Sequence, residues 1–158
     1  MKRACTEEQV NIRKEEIINT VSKMFDEMDY QNISMKTISE KISIARSSLY
    51  CYYNSKEEIM LDVLKNDYIK FLKTIIEDFE KKDTIEELTD NITDAYMNNL
   101  RVMKIISLYL TDIEIHCSLG SLVNFKKDFV TYMLDLKKSI CKRFNNIPEK
   151  ESLIIYLS

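Results

Sequence analysis

Glycine and proline are almost absent from this sequence. The chain of 158 residues contains one glycine and one proline, so few of its residues break helices or form tight turns. A chain of this length can bury a hydrophobic core, and because tryptophan is also absent, that core must be built from aliphatic side chains, methionine, tyrosine and phenylalanine. The scarcity of helix breakers predicts an all-α fold.

The groups that many enzymes need are also scarce. A single glycine cannot supply a glycine-rich phosphate-binding loop, and His116, the only histidine, cannot form a metal cage of several histidines. The four cysteines lie far apart without a Cys-x-x-Cys motif, which is typical of a reducing cytosol. We therefore expect a protein that is not an enzyme and needs no cofactor or metal. An active site built from carboxylate, tyrosine and cysteine side chains remains the alternative.

Long apolar runs are missing as well. No run approaches the ~18 apolar residues that a membrane-spanning helix requires. The basic start, Met1–Cys5, is not followed by the apolar segment of a signal peptide. The sequence therefore predicts a cytoplasmic protein without a membrane partner.

The stretch from Ser34 to Lys56 differs from the rest of the chain in its charge. Its four basic residues and one acidic residue give a local charge of +3, whereas the whole chain carries −3. Apolar residues at helical spacing on each side of a break at residues 43–45 predict two short helices joined by a tight turn. A basic patch on such a motif suits the DNA phosphate backbone. An ordinary helical hairpin with a solvated charged face is the alternative.

The end of this stretch resembles the signature of the tetracycline-repressor (TetR) family of bacterial transcription regulators. Residues 49–58 read LYCYYNSKEE. In that family the recognition helix usually ends in a tyrosine. An aromatic residue or histidine follows two residues on, then an aromatic residue and a lysine that opens the next helix. The resemblance runs from the first helix to the start of the fourth. It departs at Ser43 and Ser47, which stand where the family often has glycine.

The resemblance implies which residues bind double-stranded DNA. Tyr50, Tyr52 and Lys56 match positions that contact phosphates, and Ser34 and Lys36 match phosphate or base contacts. Three residues of the second helix match positions that face base edges in the major groove, where an arginine can bond a guanine edge at two points. The full set that we expect at the DNA is Ser34, Lys36, Thr37, Arg46, Ser47, Ser48, Tyr50, Tyr52 and Lys56.

Capping patterns and periodicity outline the helices around this motif. An amphipathic pattern predicts a first helix from Asn11 to Asp29, and Ser34 is a good N-cap for the second. The pattern Ser55-x-x-Glu58 is a capping box that opens a long fourth helix, which continues to about Glu80 without a linker.

The second half of the chain shows a further capping box and a strongly apolar segment. Thr84-x-x-Glu87 predicts the start of the next helix. Residues 102–115 are apolar almost all round, which predicts a helix at the centre of a bundle. Gly120 predicts a helix end, and Leu122–Phe144 forms another long helix.

These elements predict two domains. Residues 1–54 form a three-helix helix-turn-helix domain that binds DNA, and a long helix joins it to a C-terminal helical bundle in residues 55–158. The resemblance implies that the bundle binds a small-molecule effector, which is apolar or aromatic if the aromatic and methionine side chains form its walls. More often such side chains only fill a core. The candidates are Tyr68, Tyr96, Met103, Tyr109, His116, Phe125 and Phe129.

The resemblance also implies a homodimer on a palindromic operator. The family pairs its last two helices, which here are Leu122–Phe144 and a helix starting at Pro148. Little chain remains to complete that last helix. Either the natural protein continues past Ser158, or the dimer is weaker than usual. The expected function is a repressor that its effector releases from the operator, and the alternative is a helical adaptor that binds protein and not DNA.

Overall fold

The structure is a computed structural model that describes residues 6–81 and 84–144. In these ranges it contains eight α-helices, a short 3-10 helix at Tyr30–Asn32 and no strand. The predicted all-α class is therefore confirmed. The helices are α1 Glu7–Glu27, α2 Met35–Ile42, α3 Arg46–Leu49, α4 Lys56–Glu80, α5 Ile85–Asn98, α6 Leu100–Leu108, α7 Leu110–His116 and α8 Leu119–Arg143.

Packing divides the described residues into two compact units. The first unit contains residues 6–64 and 108–122, and the second contains residues 65–81, 84–107 and 123–144. Helix α4 passes from the first unit to the second after Leu64, and α8 does so after Leu122. Helix α6 enters the first unit only at its last residue, Leu108. The predicted functional boundary between residues 54 and 55 stays a prediction.

Helix α1 buries one face in the first unit. Ile17 and Val21 are fully buried and lie one turn apart, as the amphipathic pattern requires. The helix begins earlier than predicted because Thr6 forms a reciprocal capping box with Gln9, with nitrogen-to-oxygen distances of 3.2 and 3.3 Å. The Thr-x-x-Gln pattern is visible in the sequence and would have located this start.

The turn between α2 and α3 keeps its tight geometry without a glycine. Ser43 adopts φ 61° and ψ 41°, the left-handed conformation. Its amide donates to the Glu40 carbonyl at 3.2 Å, and the Ile44 amide donates to the Ser39 carbonyl at 3.0 Å. A residue with a Cβ pays about 1–2 kcal/mol for this conformation, so the turn stores strain that a glycine would relieve.

The second unit is built around an apolar core that α4, α5 and α8 share. Its members are Phe71, Leu72, Ile75, Ala95, Leu136 and Ile140. Ion pairs flank this core: Arg101 Nε lies 2.6 Å from Asp67 Oδ2, and Lys65 Nζ lies 2.5 Å from Asp128 Oδ2.

Helix α5 starts at the predicted capping box. The Thr84 amide donates to Glu87 Oε2 at 2.7 Å, and the Glu87 amide donates to Thr84 Oγ1 at 3.2 Å. The hydrogen bond from the Thr84 backbone to the Glu87 carboxylate lowers the pKa of that carboxyl. This prediction is confirmed.

The predicted central helix over residues 102–115 is wrong. The chain forms two helices there, α6 and α7, with a break at Tyr109, whose φ of −126° and ψ of −12° leave the helical range. Each short helix buries only one face: Leu108 and Ile115 remain 65% and 71% exposed, while Ile105 and Ile113 are fully buried. An apolar pattern all round a helix shows which faces other elements could cover. It does not show which faces they cover in the folded protein.

Gly120 does not end a helix, contrary to the prediction. Helix α7 ends at His116, and Gly120 lies in the first turn of α8. Ser118 begins α8, because its Oγ accepts from the Ser121 amide at 3.3 Å and its carbonyl accepts from the Leu122 amide at 3.1 Å. A serine that caps the new helix therefore decides the boundary here.

The predicted Ser55–Glu58 capping box forms only in part. The Glu58 amide donates to Ser55 Oγ at 3.2 Å, but the Glu58 carboxylate accepts from the Asn54 amide at 3.0 Å.

Among the described helices, none combines the length and apolarity needed to cross a membrane.

Candidate nucleic-acid interface

A shallow groove in the first unit gathers five of the nine predicted DNA-contact residues. It has a volume of about 420 Å³ and lies between the start of α2, helix α3 and the start of α4. Its basic side chains outnumber the single acidic one, Glu57. The predicted residues along it are Ser34, Lys36, Arg46, Tyr50 and Lys56.

The start of α2 is locked by a capping box between Ser34 and Thr37. The Thr37 amide donates to Ser34 Oγ at 3.2 Å, and the Ser34 amide donates to Thr37 Oγ1 at 2.9 Å. Met35 and Lys36, in the first turn of the helix, line the groove. The positive end of the helix therefore lies at the groove, where backbone amides favour an anion.

Lys36 is held only loosely. Its Nζ lies 3.9 Å from Glu40 Oε1, and the two side chains are 72% and 62% exposed. Exposed pairs of this kind contribute little, about 0–1 kcal/mol. Lys36 can therefore leave Glu40 for a phosphate at small cost.

Arg46 and Tyr50 lie one turn apart and contact each other on the exposed surface. Arg46 Nη2 donates to Tyr50 Oη at 3.3 Å, and the guanidinium carbon lies 5.7 Å from the centre of the ring. Leu49, which is fully buried, anchors the same short helix. The contact holds both side chains at the groove.

The remaining predicted contact residues do not line the groove. Ser47 and Ser48 are exposed on α3, and Tyr52 is half-buried. Thr37 serves the capping box and also donates to the Ser34 carbonyl at 3.0 Å. Their predicted roles stay predictions.

Lys56 is positioned by Tyr30, which the sequence reasoning missed. Lys56 Nζ donates to the Tyr30 carbonyl at 3.2 Å and lies 4.1 Å from the centre of its ring. Tyr30 is buried and donates to Asp112 Oδ2 at 3.2 Å. Burial, together with the nearby Glu57 and Asp112 carboxylates, raises the pKa of Tyr30. The sequence marks Tyr30 only as an aromatic residue in a connector, which does not reveal this role.

Five of the seven predicted effector-site residues lie in the second unit. Tyr68 stacks on Phe129 with ring centres 5.0 Å apart, and Phe125 lies 6.2 Å from Phe129. Burial, with a smaller effect from Tyr96, raises the pKa of Tyr68 to about 12. Met103 packs against the apolar core. Four of the five are partly buried, and Tyr96 is 41% exposed. Their predicted role at an effector stays a prediction.

Tyr109 and His116 belong to the first unit and not to the second. The Tyr109 ring lies 4.6 Å from that of Tyr30 and 5.7 Å from that of Phe25. His116 is exposed, and its Nδ1 donates to the Asp112 carbonyl at 2.8 Å. The structure therefore does not place these two residues in the same unit as the other five. Within residues 6–81 and 84–144, no three metal-ligating side chains cluster.

Comparison with known proteins shows what the first unit resembles. Residues 17–63 match the family described as bacterial regulatory proteins, tetR family. The HTH-type transcriptional regulator YxbF of Bacillus subtilis is 36% identical over 62 residues, which cover 39% of this chain and 16% of that protein. The biofilm operon icaADBC HTH-type negative transcriptional regulator IcaR of Staphylococcus epidermidis is 28% identical over 75 residues, which cover 48% of this chain and 40% of that protein.

Solved structures show the same fold. The fatty acid degradation regulator FadR from Bacillus halodurans superposes with a TM-score of 0.60 at 15% identity, covering 91% of this chain and 78% of the other. A TetR-family transcriptional regulator from Marinobacter aquaeolei superposes with a TM-score of 0.58, also at 15% identity, over 91% of this chain and 74% of the other. The chain spans less than half of the length of YxbF and of IcaR. The resemblance to the TetR family is confirmed.

Proposed function

Since residues 17–63 carry the pattern of the tetR-family bacterial regulatory proteins, we propose that this protein is a transcription regulator that binds double-stranded DNA. The groove is the observation that supports this most strongly. It brings three basic side chains and a helix start to one exposed surface, and phosphates are bound by such a combination.

The groove geometry supports a division of roles among the contact residues. Lys36 and Lys56 bind phosphates, and the contact of Lys56 with Tyr30 fixes where its charge is presented. Arg46 reads a base edge in the major groove, because it is exposed at the start of α3 and held by Tyr50. Ser47 and Ser48 follow it along the same exposed helix and are hydroxyl partners for bases or phosphates.

Two copies are needed for useful specificity, because one short recognition helix reads only a few base pairs. Helix α8 offers a surface for a second copy: Val123, Val130 and Leu134 share one face and are 56%, 53% and 49% exposed. We therefore assign the protein as a homodimer on a palindromic operator. The second predicted interface segment, which begins at Pro148, lies outside the described residues.

The regulator acts in the bacterial cytoplasm as a repressor that an apolar or aromatic effector releases from DNA. The relative IcaR is described as a negative regulator, which supports repression. The partly buried aromatic and methionine side chains of the second unit, such as Tyr68, Phe129 and Met103, would form apolar walls for such an effector. Helices α4 and α8 are shared by both units, so they provide the covalent path for a signal, and a coupling of about 1–3 kcal/mol changes affinity 5- to 150-fold.

The experiment that tests DNA binding is selection of a duplex from a random pool, followed by titration at several salt concentrations. We expect log Kd for the selected duplex to depend linearly on log salt, since bound lysine and arginine release counterions. A scrambled duplex should bind more weakly with a similar slope. Failure to enrich any duplex, with no salt-dependent binding, would refute the proposal.

A helical adaptor that binds protein and not DNA is the second candidate. Exposed apolar side chains at the end of α5 and the start of α6 favour it, since Tyr96, Met97 and Leu100 are 41%, 61% and 58% exposed. The same titration separates the two candidates, because an adaptor shows no salt-dependent affinity for duplex DNA.

A further inference from the structure

Glu58 is a buried carboxylate close to the groove. Its residue is only 7% exposed, although it belongs to the first turn of α4, where most carboxylates meet solvent. A charge this deeply buried is costly unless hydrogen bonds satisfy it. Its partners therefore indicate what the charge does.

One oxygen of this carboxylate holds the residue that leaves the recognition segment. Oε2 accepts from the Asn54 backbone amide at 3.0 Å and from Asn54 Nδ2 at 3.1 Å. Asn54 lines the groove together with Tyr50 and Lys56. Glu58 thus holds the backbone of Asn54, which forms part of the groove wall.

The other oxygen holds the start of a distant helix. Oε1 accepts from Ser121 Oγ at 3.1 Å, and Ser121 Oγ lies 2.9 Å from Ser118 Oγ. Both serines lie at the start of α8, so the carboxylate sits at the positive ends of α4 and α8 together. Burial alone would raise the pKa of Glu58, but hydrogen bonds from Ser118, Asn54 and Ser121 outweigh burial and lower it.

We propose that Glu58 is a positioning residue for DNA binding, which ties the groove wall at Asn54 to the start of α8 through Ser121. This inference rests on the proposed function. Because α8 continues into the second unit, a displacement of its first turn pulls on the same carboxylate that holds Asn54. Glu58 is then the point at which a change in α8 alters the groove.

The test measures the affinity of the full chain for the duplex selected above and for a scrambled duplex. Glu58→Ala removes both links. Ser121→Ala removes one hydrogen bond from the start of α8 to the carboxylate, and the double variant Ser118→Ala/Ser121→Ala removes both serine hydroxyls, while each leaves the charge. Glu58→Gln keeps an oxygen for Asn54 and can donate to the Ser121 hydroxyl. Glu77→Ala is the matched control, since Glu77 is exposed on the same helix. Thermal unfolding gives the folded fraction by which each affinity is corrected.

The expected result distinguishes a positioning role of Glu58 from a purely electrostatic effect of its carboxylate. Removing a carboxylate beside a DNA site should strengthen binding if only Coulomb forces act. We expect the opposite: Glu58→Ala weakens binding to the selected duplex about tenfold and Ser121→Ala about threefold, as for lost hydrogen bonds. Glu58→Gln should recover most of the affinity, and Glu77→Ala should match the wild type. The salt slope should stay unchanged, because every phosphate-binding lysine remains.

Each outcome decides the matter. Folded Glu58→Ala that binds the selected duplex as tightly as the wild type overturns the inference and leaves the proposed function standing. If Glu58→Ala does not fold, the double variant Ser118→Ala/Ser121→Ala decides, and wild-type affinity in that variant overturns the inference. If the wild type itself enriches no duplex, the proposed function fails first and this inference falls with it.

Discussion

The two compact units use their side chains in different ways. In the first unit, polar and charged side chains have specific partners, such as Lys56 with Tyr30 and Glu58 with Asn54. In the second unit, ion pairs such as Arg101 with Asp67 flank the apolar core, and exposed apolar side chains such as Met97 and Val130 remain around it. Directional contacts fix the shape of a binding surface, whereas apolar packing leaves surfaces that other molecules can cover.

The largest expected effect comes from emptying one core at a time. Leu49→Ala in the first unit and Leu72→Ala in the second each remove a fully buried side chain, which costs about 2–5 kcal/mol. Hydrogen exchange followed by mass spectrometry should show faster exchange in residues 6–64 and 108–122 for Leu49→Ala. It should show faster exchange in the second unit for Leu72→Ala.

Ile12→Ala is the control for both variants, since Ile12 is 60% exposed and its truncation should change little. If each variant accelerated hydrogen exchange equally in both units, the two units would unfold together. The division into two units would then describe packing and not stability.

The second prediction sharpens the division of roles inside the groove. Arg46→Ala should cost about 1–3 kcal/mol on the selected duplex and relax the preference at one base pair, because it removes a base contact. Lys56→Ala should weaken binding to every duplex and lower the salt slope by about one unit, because it removes a phosphate contact.

Titrations against selected and scrambled duplexes check both variants. Lys73→Ala, an exposed lysine in the second unit, is the control and should leave affinity and slope unchanged. Equal weakening of both duplexes by Arg46→Ala would show that Arg46 binds the backbone and does not read a base.

The third prediction concerns alkaline pH. Burial, with the nearby Asp62 carboxylate, raises the pKa of Tyr53 above its unfolded value of 10.0. A raised folded-state pKa contributes stability that is fully present below pH 10 and is lost as the pH rises toward the folded-state value. The wild type should therefore lose about 1.4 kcal/mol per pH unit from this group above pH 10.

Tyr53→Phe should be less stable at neutral pH, since it loses the hydrogen bond to Asp62 Oδ2 at 2.8 Å, but its alkaline loss should be shallower. Urea unfolding at several pH values between neutral and alkaline measures both. Tyr50→Phe is the control because Tyr50 is exposed. Parallel alkaline curves for the wild type and Tyr53→Phe would contradict the prediction.

The sequence predicted the first unit better than the second, and the reason is physical. Capping boxes specify local contacts and located the starts of α2 and α5. The resemblance to the TetR family implied Ser34, Lys36, Arg46, Tyr50 and Lys56 as DNA contacts, and these five line one groove. Tyr30 could not be found this way, since its contacts with Lys56 and Asp112 join positions that are distant in sequence. Short-range rules contain no information about such pairs.

The errors in the apolar segments have a different origin. Periodicity shows which residues can be buried, but the neighbouring elements decide which of them are, so it could not show that Leu108 and Ile115 stay exposed. Gly120 misled because a glycine is compatible with a helix end without requiring one. Ser118, a capping residue two positions earlier, set the boundary.

The smallest expected effect tests the turn that joins the two helices of the motif. Ser43 holds a left-handed conformation at φ 61°, which costs a residue with a Cβ about 1–2 kcal/mol. Ser43→Gly removes that cost. It also makes the unfolded chain more flexible, which lowers the free energy of unfolding by about 0.4–1 kcal/mol. We expect a net gain in the free energy of unfolding of up to about 1.6 kcal/mol, with unchanged DNA affinity because Ser43 does not line the groove.

Ser43→Ala is the matched control, since alanine keeps a Cβ and its strain, and it should be nearly neutral. Ser43→Val should be destabilising, because a β-branched residue tolerates positive φ poorly. Urea unfolding of the three variants measures the series. If Ser43→Gly were less stable than the wild type while Ser43→Ala lost the same amount, the serine hydroxyl would be stabilising the turn. The departure from glycine at this position would then be a gain for the protein and not a cost.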